Sequence, residues 1–150
     1  MRPYVLIFLM PVLAGCDVVA PTLLTGPTVE GVSPEAFVNA SVSVLHENGY
    51  TVITADRRSG VVTTDWRAES SFVGQALLDL SRRTRVSVVV DFYTHELKVQ
   101  MTKQKKEGGL PWRNDGLSND DRERMQVMLD QIRTRAGAIQ AQNVQSVVGG

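Results

Sequence analysis

The sequence predicts an α+β domain: a two-layer sandwich in which a mostly antiparallel sheet of about four strands is covered by two helices. Three observations lead there. Apolar residues recur at helical spacing near both ends of the chain, over 34–48 and 119–136. Between them lie β-branched stretches separated by turn residues, which read as hairpins. Each helix carries one apolar stripe and each hairpin one apolar face, so each has a surface to bury against the other. At 150 residues the chain is about one domain, and no internal repeat divides it.

The first helix opens at Ser33-Pro34-Glu35, where the serine can cap, the proline suits the first turn and the acid sits at the positive end of the dipole. Phe37, Val38, Val44 and Leu45 fall near one face, Ala40 and Val42 widen it, and Asn48-Gly49 is the stop. Residues 50–55 and 61–67 make the first hairpin around Asp56-Arg57-Arg58-Ser59-Gly60. With Ala55 opposite Val61, the residues Tyr50, Val52, Val62 and Trp66 share one face, giving that hairpin an aromatic anchor for the core. Residues 68–81 carry near-helical apolar spacing interrupted by Gly74, and read as a short helix or an ordered loop.

Residues 83–92 and 96–105 form the second hairpin. Setting Phe92 against Leu97 puts Val90 opposite Val99 and Val88 opposite Met101 on one face, with Asp91 opposite Lys98 on the other. A polar, glycine-rich loop holding Trp112 follows. Ser118 and Asp121 then have the spacing of a capping box, and a helix over 119–136 aligns Met125, Met128, Leu129 and Ile132 until Gly137. Residues 138–150 are polar, end in Gly-Gly, and read as a frayed tail.

The chain opens MRPYVLIFLMPVLAGCDVVAPT. Arg2 supplies positive charge, residues 4–13 an apolar stretch, and Ala14 and Gly15 are small, which is the order of a secretory signal and too short for a stop-transfer helix. Leu13-Ala14-Gly15-Cys16 resembles the lipobox of bacterial lipoproteins. That resemblance implies cleavage before Cys16, with diacylglycerol on its sulfur and an acyl group on its new amino group. Two or more acyl chains would anchor the protein lastingly, where one alone gives an association constant of only about 10⁴ M⁻¹. Asp17 resembles the retention signal that follows the lipidated cysteine in enteric bacteria, which favours the inner membrane over the outer one.

The expected organisation is therefore a cleaved signal at 1–15, a lipidated terminus and tether at 16–32, the α+β domain at 33–137, and the tail at 138–150. Sixteen tether residues would reach about 50 Å when extended and about 22 Å as a flexible coil. The domain would stand off the membrane on its periplasmic side.

Lysines plus arginines balance aspartates plus glutamates at 16 each, so no global field draws the chain to nucleic acid. The single cysteine excludes an internal disulfide and a cysteine zinc cluster. His46 and His95 lie on separate elements with no acids in ligand spacing, and no serine stands in a G-x-S-x-G turn. No catalytic residue, metal or cofactor is expected. Asp120, Asp121 and Glu123 cluster where a helix start favours negative charge.

One local charge pattern stands out. Arg82, Arg83 and Arg85 lie beside Lys103, Lys105 and Lys106 at the open end of the second hairpin, and Trp112 follows in the next loop. Two readings of this patch stay open: contact with anionic lipid headgroups or an acidic partner, and a solvated edge that discourages strand addition. Trp112 likewise either anchors a partner or closes the core. Periodic aromatics of the kind that bind single-stranded nucleic acid are missing from the patch.

The run from Pro34 to Trp66, a helix followed by ENGYTVITADRRSGVVTTDW, resembles the helix-hairpin modules of small envelope lipoproteins, such as a lipoprotein component of the outer-membrane barrel assembly machinery. The resemblance covers about thirty residues and implies a fold style without a catalytic group. Together these features lead to a lipid-anchored, non-catalytic binding or accessory protein of the cell envelope, held to the membrane through acyl chains on Cys16. The alternatives are an envelope hydrolase with a scattered site and a scaffold component of an envelope complex.

Overall fold

In a computed structural model that describes residues 22–69 and 80–148, an antiparallel sheet of seven strands carries two helices on one face. The elements in chain order are β1 (Thr22–Pro27), α1 (Pro34–Glu47), β2 (Val52–Asp56), β3 (Val61–Thr64), β4 (Arg67–Glu69), β5 (Leu80–Asp91), β6 (Glu96–Glu107), β7 (Arg113–Asp115) and α2 (Asn119–Val148). The lateral order is β1-β6-β5-β3-β2, with β4 continuing the β3 side of β5 and β7 continuing the β1 side of β6. The α+β class is as the sequence predicts; among the described residues two helices cover a sheet of seven strands, more than the four expected.

Strand β5 alternates between buried and half-buried positions from Thr84 to Asp91. Val86, Val88 and Val90 on it, with Leu97, Val99 and Met101 on β6, form the floor of the core. Helix α1 lays Phe37, Val38, Val44 and Leu45 on that floor, and α2 adds Met125, Met128, Leu129 and Ile132. Each fully buried side chain of this size contributes about 1.5–3 kcal/mol.

Helix α1 begins and ends where its signals stand. The Ser33 hydroxyl accepts from the Ala36 N–H. At the other end Gly49, at φ 77°, donates to the His46 carbonyl and Tyr50 donates to the Leu45 carbonyl, the paired bonds of a Schellman stop. Tyr50 then enters the core, and burial pushes its phenol pKa up.

Departures from the sequence reading have local causes. Thr22–Pro27, within the stretch expected to be tether, is an edge strand paired with β6 from Met101 to Glu96. It lies close over α2: a Cβ on Gly26 would stand 2.9 Å from a Leu129 methyl. In the first hairpin Ala55 pairs with Val62 and not with Val61, and an irregularity between Val52 and Thr54 brings Val52 back against the core.

In the second hairpin, Val90 faces Leu97 and Val88 faces Val99, so the pairing slips by two residues and the apolar face is kept. The tip needs four residues, Phe92 to His95, because Asp91 Oδ1 accepts from the backbone amides of both Tyr93 and Thr94. Bonds from Thr94 first, then from the Tyr93 amide and the Lys98 ammonium, hold the Asp91 carboxyl down to about 2.

Trp66 also differs from its expected place. Strand β3 pairs with β5 in one register and β4 pairs with it one residue out of step, so an extra residue is accommodated at Asp65–Trp66. That bulge reverses the alternation and sends Trp66 to the open face of the sheet, while Tyr50 and Val62 stay in the core. At the carboxyl-terminal end, α2 runs through Gly137 to Val148 instead of fraying after 137. Gln140 Oε1 accepts from the Ser33 N–H and Ile139 packs on the core, so the added turns are tied to the start of α1.

The signal at 1–15, Cys16, Asp17, positions 70–79 of the expected helix or loop, and the last two residues of the tail lie outside the described residues. Among those described, no helix is long and apolar enough to cross a membrane.

Candidate functional site

Both long strands present polar side chains on the face away from the helices, and no described helix lies over it. In the register of β5 and β6, Arg83 stands opposite Gln104, Arg85 opposite Thr102, and Lys106 opposite Ser81. The six cations of the predicted patch therefore do reach one end of one hairpin, but the alternation divides them between two faces.

Arg82, Lys103 and Lys105 point to the helix side and are matched by acids there. Arg82 Nε is 3.4 Å from Asp115 Oδ2, and Lys105 Nζ is 3.1 Å from Glu107 Oε1. Lys103 Nζ lies 3.2 Å from Glu69 Oε2 and 3.0 Å from Asp121 Oδ2. Asp121 is nearly fully buried and also closes the capping box, accepting from the Ser118 amide at 2.9 Å and its hydroxyl at 2.8 Å. Burial pushes the Asp121 carboxyl up, but the Ser118 bonds and the Lys103 ammonium outweigh it, and the net shift is downward. Burial works against the Lys103 charge too, and its bonds to Asp121 and Glu69 overcome it, so that pKa is raised. This node borders a polar hollow of about 340 Å³ shared with Arg82 and Arg124. Its Lys103, Glu69 and Asp121 charges are paired and hydrogen-bonded.

The other half of the patch is built differently. The Arg83 guanidinium carbon sits 4.4 Å from the centre of the Trp66 ring and 4.1 Å from that of Trp112, so the cation is held between two indoles. Its edge is fixed as well, because Nε and Nη2 donate to Gln104 Oε1 at 3.0 and 2.7 Å. Gln104 in turn donates to Asn114 Oδ1 at 3.3 Å, which ties the stack to β7. Arg85 lies 4.9 Å over Trp66 from the other strand position on this face. Among the described residues no carboxylate comes within ion-pair distance of Arg83, Arg85 or Lys106.

Trp112 thus belongs to the open face and does not close the core. It is delivered by the turn after β6, where Gly108 adopts φ 55° and Leu110 donates to the Glu107 carbonyl before Pro111. The sequence marks Arg83 and Trp112 for this patch but not Trp66 or Gln104. Gln104 would follow from the correct hairpin register, whereas Trp66 depends on the bulge, for which Asp65 is the local sign: its carboxylate accepts from the Trp66 N–H at 2.7 Å.

The two histidines stay apart from this face. His46 is exposed near the end of α1, and His95, in the left-handed region at φ 54°, sits at the tip of the second hairpin. A recess of about 520 Å³ lies between that tip and the β1–α1 connection, lined in part by Val29, Val32, Phe37 and Phe92. Among the described residues no group of three His, Cys, Asp or Glu side chains is placed to hold a metal.

No known family model matches the sequence. No curated protein matches it either. Among solved structures, a DUF4468 family protein from Bacteroides ovatus ATCC 8483 is similar at 13% identity, covering 91% of this chain and 90% of that chain at a TM-score of 0.41.

Proposed function

We propose that this chain is a lipid-anchored protein of the bacterial cell envelope, facing the periplasm, with a binding or accessory role and no catalytic one. The anchor reading rests on the Leu13-Ala14-Gly15-Cys16 lipobox, with Asp17 favouring the inner membrane over the outer. The observation that supports binding is the Trp66–Arg83–Trp112 stack, in which an arginine is immobilised between two aromatic rings on an open sheet face. Aromatic rings and arginine are the groups that dominate contact surfaces, because they bring large area and strong donors at small entropic cost.

Metabolic labelling with a clickable fatty acid tests the anchor. The wild-type protein takes up label and fractionates with membranes, whereas Cys16→Ala takes up none. Recovery of an unlabelled wild-type chain with its amino-terminal signal intact would overturn the reading. A second reading, a scaffold component of an envelope complex, is favoured by the edge strand β2, whose Ile53 is 60% exposed.

A further inference from the structure

The place where the chain enters the sheet relates the anchor to the open face. Thr22 is paired with Met101 and β1 runs from there toward Glu96, so the amino-terminal end of β1 faces the β7 end of β6, where Gln104 pairs with Asn114. From strand spacings of about 3.3 Å per residue and about 4.8 Å per strand, Thr22 lies about 14 Å from Arg83. Six peptide steps separate Cys16 from Thr22, which at full extension span roughly 20 Å. The folded strand therefore removes most of the slack that a tether reaching to residue 32 would have.

Charge on the open face is polarised along the same axis. Arg83, Arg85 and Lys106 occupy the end of β5 and β6 beyond Thr22, and Lys98 pairs with Asp91 and Glu96 at the opposite end. Leu23 on β1, 51% exposed and paired with Gln100, adds an apolar side chain to the same face.

We infer that this face is the docking surface for an anionic phospholipid bilayer, with Arg85 and Lys106 meeting headgroup phosphates and the two indoles lying at headgroup level. The inference rests on the lipid-anchor reading and adds an orientation to it. Indole is the side chain best suited to a membrane interface, and each cation near an anionic surface strengthens attachment. A protein partner would have to reach the same face inside the roughly 20 Å that the anchor allows.

The chain's only two tryptophans are Trp66 and Trp112, so its indole emission reports on this face alone. The acylated full-length protein is reconstituted into vesicles with brominated acyl chains, either of phosphatidylcholine alone or of equal parts phosphatidylcholine and phosphatidylglycerol. Indole quenching is expected in the anionic vesicles and not in the neutral ones, with loss of that quenching in the double variant Arg85→Glu/Lys106→Glu. Circular dichroism and fatty-acid label on the same samples establish folding and anchoring. Labelled, folded protein whose indoles are unquenched in anionic vesicles would overturn the docking surface while leaving the anchor in place. Equal quenching in both vesicle types, or in the charge-reversed variant, would also overturn it. A wild-type chain carrying no label would overturn the anchor, and the docking surface with it.

Discussion

Arg83 joins two ring stacks to a forked bond on one glutamine oxygen, so a single side chain organises the open face. Replacing it with alanine should cost about 1–2 kcal/mol of stability, from lost cation–π and hydrogen-bond contributions. Indole emission should shift to the red as both rings gain water, measured alongside urea denaturation. Lysine should recover little, because a point charge cannot replace a planar fork between two rings.

Asp121 makes a different residue-scale prediction. Its pKa is lowered by folding, so its contribution to stability is present above the ordinary carboxylate range and is lost as pH falls through the folded value. Asp121→Asn should therefore cost about 2 kcal/mol at neutral pH and flatten the fall in stability below about pH 4. A denaturation series across acid pH compares the two chains. Equal slopes would assign acid sensitivity to other carboxylates.

At the scale of elements, the features legible in the sequence are those set by residues close together in the chain. The stripe of α1, its serine cap and its glycine stop each act within a few positions, and all three stand where their residue types place them. The second hairpin is legible in its faces but not its pairing, because parity follows from alternation while register follows from how many residues the tip consumes. Trp66 escapes prediction, since a single extra residue between β3 and β4 reverses its side of the sheet. Arg82, Lys103 and Lys105 stand in the sequence as neighbours of Arg83 and Arg85, yet the acids that pair with them come from β4, β7 and α2 as well as β6.

The carboxyl-terminal extension of α2 is hidden for a related reason. Its polar composition suggests solvent, and the contacts that order it, Ser33 to Gln140 and Ile139 to the core, join positions far apart in the chain. The double variant Ile139→Ala/Gln140→Ala should lose about 1–2 kcal/mol, read from the shift in urea midpoint. A frayed tail would lose nothing.

For the whole molecule, the governing asymmetry is between the two faces of one sheet. The helix-covered face takes the apolar residues and the paired Lys103, and the open face takes the stacked tryptophans with Arg83 and Arg85. That division follows from alternation along β5 and β6, so a short run of sequence serves the core and the surface at once.

The seating of β1 has a mechanical consequence. A chain held by its amino-terminal side is loaded at Thr22, and β1 is paired to β6 along all six of its residues. Tension along the strand therefore strains these pairings together in shear, while a pull across the sheet would unzip them one by one from Thr22. The direction of a pull on the amino-terminal side thus decides whether the edge strand holds as a clamp or opens as a seam.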